Sequence, residues 1–205
     1  MKITTRQLAL TAVFIALILL FGSTPIGLIP LGFVNVTILA IPVVIGTIVL
    51  GLGSGLILGF SFGLVSMLSM FGMTMTAPSA LASALAAANP ALAILMCFAP
   101  RLLVPVVTHV VFRSVSGPDG RKKIALPIAA IAGSVTNTVL YLGLMLLFYT
   151  MVGLDSTKLR AIIAGVGLIA GGSEAAVNAI LTTPIAMALW KVERKIGRAS
   201  CRERV

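Results

Sequence analysis

Long apolar segments, separated by small clusters of basic residues, constrain the fold of this chain more than any other feature of its sequence. An α-helix needs about 20 mostly apolar residues to cross the hydrocarbon core of a bilayer. Six segments are candidates, at residues 7–22, 34–50, 54–71, 92–114, 124–150 and 173–191. The sequence therefore predicts an all-α membrane protein, a bundle of six transmembrane helices.

The composition agrees with a lipid environment. Hydrophobic residues make up 59% of the 205 residues and charged residues only 10%, whereas about a quarter of the residues in a soluble domain are charged. The net charge of +10 could suggest nucleic acid, but the basic residues form no stripes with aromatic residues. They lie between the apolar segments, so we expect them to report membrane topology.

Basic residues in short loops mark the cytoplasmic side of a membrane protein. With six spans, one side of the membrane holds Lys2, Arg6, Arg113, Arg121, Lys122, Lys123, Lys191, Arg194 and Lys195. The opposite side holds only Arg101, Lys158 and Arg160. We therefore predict that the N- and C-termini are both cytoplasmic.

The last ten residues, IGRASCRERV, break this pattern and resemble the translation of a sequencing-library adapter. We interpret residues 196–205 as a non-native tail and residues 1–195 as a single transmembrane domain. Without the tail the chain has 12 basic and 4 acidic residues, and Cys97 is its one cysteine. A lone cysteine in an apolar segment predicts a small buried hydrophobe, with no disulfide and no metal cluster.

The predicted loops on the two sides differ in length. Those on the basic side are short, whereas three on the opposite side, residues 23–33, 72–91 and 151–172, are long and apolar. Long ordered loops are usually functional, and loops exposed to water are normally polar. We therefore expect these loops to form a lid over a pocket that opens to the outside.

Residues 158–171 are apolar enough to compete as a further span. They carry Lys158 and Arg160 at one end and stop at Gly171 and Gly172. We therefore favour a helix at the outer surface, or a re-entrant segment, over a seventh crossing.

Arg101 lies inside the fourth predicted span, about 18 Å from its cytoplasmic end at 1.5 Å per residue. A cation within the membrane is costly and indicates a functional site, and a guanidinium can bind a carboxylate with two hydrogen bonds. Two structural alternatives stay open. Arg101 could form a buried pair with Glu174, or its side chain could reach the outer surface.

Further polar residues lie in the outer halves of three other predicted spans. Those selected as candidates are Asn35, Asn137, Tyr141, Glu174 and Asn178. Each alone is typical of hydrogen bonding between helices, and Glu174 would also suit the first turn of a helix. Taken together, they predict a site for a small polar ligand beneath the long loops.

Two series of small residues predict close helix packing. They are Ala12 and Ala16 in the first span, and Gly51, Gly55, Gly59 and Gly63 in the third. Each series has two interpretations, which are packing within this chain and docking onto a separate membrane subunit.

The sequence lacks the motifs of hydrolases and metalloenzymes, such as H-E-x-x-H and G-x-S-x-G, and it lacks the phosphate-binding loop G-x-x-x-x-G-K-[ST]. The single histidine, His109, is interpreted as a contact between helices. We therefore expect no catalytic residues, no cofactor and no metal. If the protein takes part in active transport of a substrate, the energy for that transport must come from another chain or from an ion gradient.

The six spans, the Ala12 and Ala16 pair and four segments together resemble the substrate-binding S component of an energy-coupling factor (ECF) vitamin transporter. The segments are GLIPLGFVNVTILAIPVVIG at 27–46, PRLL at 100–103, GSVTNT at 133–138 and SEAAVNAILTTP at 173–184. The resemblance extends over residues 1–195 and is greatest to the pantothenate type.

This resemblance implies a six-helix bundle in the bacterial cytoplasmic membrane that binds one vitamin beneath its first, third and fifth loops. It implies that Ala12 and Ala16 dock onto a transmembrane coupling subunit, which two cytoplasmic ATPases drive. We assign Gly55 and Gly59 to the same expected interface. For pantothenate, Arg101 would bind the carboxylate, and the remaining groups would be served by Asn35, Asn137, Tyr141, Glu174 and Asn178.

Other functions remain as alternatives. The chain could be an S component for riboflavin, folate, thiamine or pyridoxine. A gradient-driven carrier and an intramembrane enzyme that uses Glu174 or His109 are less favoured. The sequence contains no clear inverted repeat for a carrier and no convincing second catalytic group for an enzyme.

Overall fold

The structure, a computed structural model, describes residues 5–24, 27–30, 35–75, 78–117, 122–154, 156–163, 165 and 168–202. Within these ranges the regular secondary structure is helical apart from one short hairpin, in which strands β1 (Leu28–Pro30) and β2 (Asn35–Thr37) pair antiparallel. The helices are α1 (Thr5–Ser23), α2 (Ala40–Leu50), α3 (Leu52–Met70), α4 (Ala80–Ala88), α5 (Pro90–Ser116), α6 (Lys122–Val152), α7 (Ser156–Ile162) and α8 (Leu168–Arg202).

Four of the described helices contain segments that are long and apolar enough to cross a membrane. These segments are Leu52–Met70, Pro90–Ser116, Lys123–Val152 and Gly171–Val192. Two further apolar helices are shorter, over Gln7–Ser23 and Ala40–Leu50. The predicted helical membrane protein is therefore confirmed. The count of six crossings and the cytoplasmic position of both termini stay predictions.

The second predicted span, residues 34–50, differs most from the structure. Residues 35–37 form strand β2, and the helix covers only Ala40–Leu50, which is about 17 Å at 1.5 Å per residue and about half of a bilayer core. The β-branched residues Val36 and Thr37 favour a strand, and Pro42 suits the first turn of a helix, where no donor is needed.

Helix α2 lies at the centre of the bundle, where every residue from Ala40 to Ile48 is buried. It packs against α1, α3, α5, α6 and α8. A helix that is apolar on all sides can be buried in this way. Helix α2 is therefore both short and surrounded by protein on all sides.

Each of the three long predicted loops contains a short element. The first holds strand β1 of the hairpin, the second holds α4 and the third holds α7. The Met75 N–H donates to the Ser23 carbonyl at 3.3 Å, which joins the second loop to the first. Leu159 of α7 shares an apolar cluster with Leu85 of α4. These elements therefore lie at one end of the bundle, which we call the loop end.

The stretch 158–171 forms no span-length helix among its described residues, because α7 has seven residues and ends at Ile162. Helix α8 begins at Leu168, earlier than the predicted start at Ser173. It continues to Arg202 and so includes described residues of the stretch interpreted as a non-native tail. That interpretation stays a prediction.

Two apolar clusters fill the bundle at different heights. The first, which we call the scaffold cluster, joins α1, α2 and α3 with the middle of α5 and α8 and the first third of α6, and includes Ile18, Val43, Leu58, Val104 and Ala130. The second, which we call the loop-end cluster, includes Met70, Leu85, Met96, Met145 and Tyr149. Cys97 is buried in the loop-end cluster, as its apolar segment predicts.

Candidate functional site

A layer of polar side chains separates the two apolar clusters. Along α5, Arg101 lies between Cys97 of the loop-end cluster and Val104 of the scaffold cluster. Helices α3, α6 and α8 contribute further polar residues, and strand β2 adds one more. We call this set the polar layer; it comprises Thr37, Ser66, Arg101, Ser134, Asn137, Thr138, Tyr141, Glu174 and Asn178.

Arg101 is the one arginine of this layer and is only 3% exposed. Its Nη1 donates to the Met96 carbonyl at 3.1 Å, and its Nη2 donates to the Ser66 hydroxyl at 2.9 Å. The guanidinium carbon lies 4.6 Å from the ring centroid of Tyr141 and 5.3 Å from that of Phe62. Two neutral acceptors and two aromatic faces therefore fix the cation.

Arg101 forms no salt bridge within the described part of the chain. Glu174 forms no ion pair with it, and the Arg101 Nε has no hydrogen-bond partner. The buried pair with Glu174 is therefore not formed, and the side chain does not reach the surface. A buried cation is costly without a directly paired anion, so the site favours an anionic ligand.

A cavity of about 170 Å³ opens beside Glu174. Its lining residues are Thr37, Ile38, Ile41, Ser173, Glu174, Val177 and Asn178. The Thr37 hydroxyl of strand β2 donates to the Glu174 carboxylate at 3.2 Å, so the hairpin forms one wall. Small-molecule pockets commonly measure about 300–1,000 Å³. An organic ligand must therefore extend beyond this cavity.

Two buried asparagines connect the cavity with the bundle interior. Asn178 is 1% exposed, and its Nδ2 donates to the Ser134 hydroxyl of α6. The Oδ1 atoms of Asn178 and Asn137 are buried without a partner. An unpaired buried acceptor costs about 1–3 kcal/mol, which indicates that a donor from a ligand or water completes both groups.

One face of α6 connects the cavity with Arg101. Ser134, Asn137 and Tyr141 lie on this face at spacings of three, four and seven residues. Ser134 contacts Asn178 beside the cavity, whereas Tyr141 stacks against Arg101. The two ends are about 10 Å apart at 1.5 Å per residue. The polar layer is therefore elongated, with a cation at one end and uncharged groups and Glu174 at the other.

The structure brings the predicted site residues into two groups. Arg101 and Tyr141 form one group, and Glu174 and Asn178 line the cavity in the other. Asn137 lies between them on α6. Asn35 belongs to β2, but its side chain lies outside the described residues.

Sequence reasoning did not select Ser66 as a site residue, although its hydroxyl accepts a hydrogen bond from Arg101. In the sequence, Ser66 is distinguished only by its hydroxyl in an apolar span, and the same helix contains several other serines. Thr37 and Ser134 are polar residues in predicted spans, but they are not among the selected candidates. Their partners, Glu174 and Asn178, are far away in the sequence and become visible only in the fold.

The glycine series of α3 packs inside this chain. A Cβ atom at Gly59 would lie 2.5 Å from the Arg101 carbonyl oxygen, and one at Gly55 would lie 3.1 Å from the Pro105 side chain. Both glycines are buried against α5. Because α2 and α5 cover them, the structure favours packing within this chain, one of the two interpretations of the series, for Gly55 and Gly59.

Ala12 and Ala16 lie on the exposed face of α1, together with Leu8 and Val13. The opposite face is buried through Thr11, Phe14 and Ile18. The open face is therefore accessible to lipid or to another membrane protein, and docking through these alanines stays a prediction.

Comparisons with known proteins agree on one family. The family model described as "ECF transporter, substrate-specific component" matches residues 6–186. The chain is also 32% identical, over 203 aligned residues, to the "Pantothenic acid transporter PanT" of Lactococcus lactis subsp. cremoris (strain MG1363). That alignment covers 93% of this chain and 96% of the relative.

Proposed function

This chain belongs to the family of substrate-specific components of ECF transporters, and we propose that the vitamin it binds is pantothenate. It is accordingly a multi-pass protein of the bacterial cell membrane and the substrate-binding subunit of a vitamin importer. The relative named for pantothenic acid supports this choice of vitamin. Pantothenate has a carboxylate at one end, an amide in its middle and two hydroxyls at the other end.

The observation that carries the proposal is that the buried Arg101 guanidinium forms no salt bridge with any described residue and keeps a free Nε donor. The pantothenate carboxylate supplies the missing anion, and the free Nε–H of the guanidinium supplies a donor for it. A charge-assisted hydrogen bond of this kind is shorter and stronger than a neutral one. Arg101 is therefore assigned to the carboxylate, with Tyr141 packed beside it.

The elongated shape of the polar layer supports the assignment of the other groups. An extended pantothenate molecule with its carboxylate at Arg101 points its amide and hydroxyls along α6 toward the cavity. Asn137 and Asn178 have unpaired Oδ1 acceptors there, and hydroxyl and amide donors match them. Glu174 accepts a further hydroxyl, and Asn35 is assigned to the same end from its position in β2.

Binding of pantothenate to the purified protein tests this proposal. We expect Arg101→Met to weaken binding at least about 30-fold, because loss of a buried charged partner costs about 2–5 kcal/mol. Arg113→Met is the matched control, since Arg113 is exposed near the end of the same helix, and it should bind normally. Identification by mass spectrometry of a different copurified vitamin, such as riboflavin or thiamine, would overturn the proposal.

We also propose how this subunit joins the importer. Six helices cross the membrane, and both termini are cytoplasmic. Exposed Arg113, Lys123 and Lys191 lie at the end opposite the loop end, and basic residues favour the cytoplasmic side. The exposed small-residue face of α1 at Ala12 and Ala16 docks onto a transmembrane coupling subunit, and two cytoplasmic ATPases drive it.

Bulky substitutions on α1 test the docking proposal. The double variant Ala12→Trp, Ala16→Trp should bind pantothenate like the unchanged protein but should lose uptake in cells and copurification with the coupling subunit. Ala188→Trp, on an exposed position of α8, is the control and should retain both. Loss of binding together with uptake in the α1 variant would contradict docking and indicate packing within the chain.

A further inference from the structure

Two prolines inside α5 leave two backbone carbonyls without their helical donor. Pro100 and Pro105 lie in the interior of this helix. Proline has no N–H, so the carbonyl four residues earlier loses its hydrogen bond. The carbonyls concerned belong to Met96 and Arg101. In a membrane, where water is absent, such carbonyls need a replacement partner.

The Met96 carbonyl finds its replacement partner in the side chain that follows Pro100. The Arg101 Nη1 donates to the Met96 oxygen at 3.1 Å. This contact folds the guanidinium back along α5 toward the loop end, in the direction that helical side chains favour. Because Pro100 has no N–H, the Met96 carbonyl is therefore free to accept the hydrogen bond that holds the guanidinium in position.

The Arg101 carbonyl, which Pro105 leaves free, has a different environment. It faces Gly59 of α3 so closely that a Cβ atom there would lie 2.5 Å away. The neighbour is thus a glycine backbone and not a cationic side chain. The two prolines therefore differ in the partner of the carbonyl that each leaves free, because only the carbonyl freed by Pro100 holds the guanidinium.

Holding a cation with a carbonyl leaves its charge available. A carboxylate partner would neutralise Arg101, whereas the Met96 carbonyl and the Ser66 hydroxyl only orient it. A guanidinium has five N–H donors; those two bonds use two of them, and the Nε donor has no partner. The guanidinium therefore keeps both its charge and a donor for a ligand.

We propose that Pro100 is a positioning residue for Arg101. By withholding a backbone donor, it reserves the Met96 carbonyl for the guanidinium and fixes the cation in the orientation that receives the ligand's anionic group. The identity of that group as the pantothenate carboxylate rests on the proposed function. In Pro100→Ala, the backbone N–H that alanine introduces competes for the Met96 carbonyl and releases Nη1.

Binding of two ligands by the purified protein tests the proposal. The ligands are pantothenate and its alcohol analogue, in which CH₂OH replaces the carboxylate. Pro100→Ala should bind pantothenate about tenfold more weakly, as expected for the loss of one hydrogen bond to a charged group, and should bind the alcohol almost unchanged. Pro105→Ala is the matched control in the same helix, and any effect it has should be equal for both ligands.

A second background and a ligand-free measurement complete the test. In an Arg101→Met protein, adding Pro100→Ala should have no further effect on pantothenate binding. In NMR spectra of the ¹⁵N-arginine-labelled protein, the Arg101 Nη hydrogens should exchange with solvent more rapidly after Pro100→Ala. Equal weakening of both ligands, persistence of the loss without Arg101, or unchanged exchange would each overturn the positioning role.

The two proposals fail in different ways. If the unchanged protein binds no pantothenate, the proposed function is wrong, but the exchange measurement still decides whether Pro100 positions Arg101. If it binds pantothenate and Pro100→Ala shows no preference between the two ligands, only the positioning role is wrong.

Discussion

The scaffold cluster and the loop-end cluster are both apolar but are built differently. The scaffold cluster surrounds α2, whose residues are buried without interruption from Ala40 to Ile48. The loop-end cluster joins helix ends to the short helices α4 and α7, and Met70, Met96 and Met145 are among its buried residues. Unbranched methionine adapts to irregular space. The comparison indicates a tightly packed half beneath the polar layer and an adaptable half above it.

This difference separates the elements that support the polar layer from those that cover it. The half that contains α2 fixes the backbone positions of α3, α5 and α6. The other half covers the polar layer with the short helices α4 and α7, which contact α5 and α6. One such contact is the hydrogen bond from the Tyr149 hydroxyl to the Leu81 carbonyl, at 2.6 Å. Segments with fewer buried contacts open locally at lower cost.

The largest expected effect comes from a cavity in the scaffold cluster. Leu58 is completely buried, and Leu58→Ala should lower the free energy of unfolding by about 2–5 kcal/mol. Leu56→Ala is the control, because Leu56 is exposed in the same helix. Denaturant or thermal unfolding in detergent measures both. Similar losses for the two variants would contradict tight packing in this half.

An intermediate effect is expected where the scaffold meets the polar layer. In Gly59→Ala, the new methyl would press against the Arg101 backbone oxygen, and overpacking of this kind costs about 1–3 kcal/mol. Because the displaced carbonyl belongs to Arg101, pantothenate affinity should fall as well.

Gly143→Ala is the control for that substitution, since a Cβ atom at Gly143 would have no neighbour within 4 Å. It should leave thermal stability and pantothenate affinity nearly unchanged. If Gly59→Ala were equally harmless, the close contact between α3 and α5 would not support the position of Arg101.

The smallest expected effect concerns α4, one of the short helices that cover the polar layer. Tyr149→Phe removes the hydroxyl that holds α4 through Leu81, at a cost of about 0.5–1.5 kcal/mol. Amide hydrogen exchange should accelerate in α4 and stay unchanged in α2, which serves as the internal control. Equal acceleration in both helices would mean that the scaffold half and the loop-end half unfold together, and it would contradict the difference between them.

Much of the site was predictable because charged and polar residues are rare in this chain. Arg101 interrupts an apolar segment, and Glu174, Asn178, Asn137 and Tyr141 stand out in the same way. A polar group in hydrocarbon needs a partner, so a polar residue within an apolar span already indicates a candidate site residue. Ser66 could not be selected on this basis, since hydroxyls are common in membrane helices and its contact with Arg101 depends on how α3 meets α5.

The sequence by itself determined that the chain is a helical membrane protein with an unusual cation in one span, because lipid leaves apolar length and isolated charges as strong signals. Only the tertiary structure decided that α2 is short and central, that Gly55 and Gly59 face α5, and that Met96 and Ser66 hold the guanidinium. These outcomes depend on contacts between residues far apart in the chain, which the pattern of any one segment does not encode.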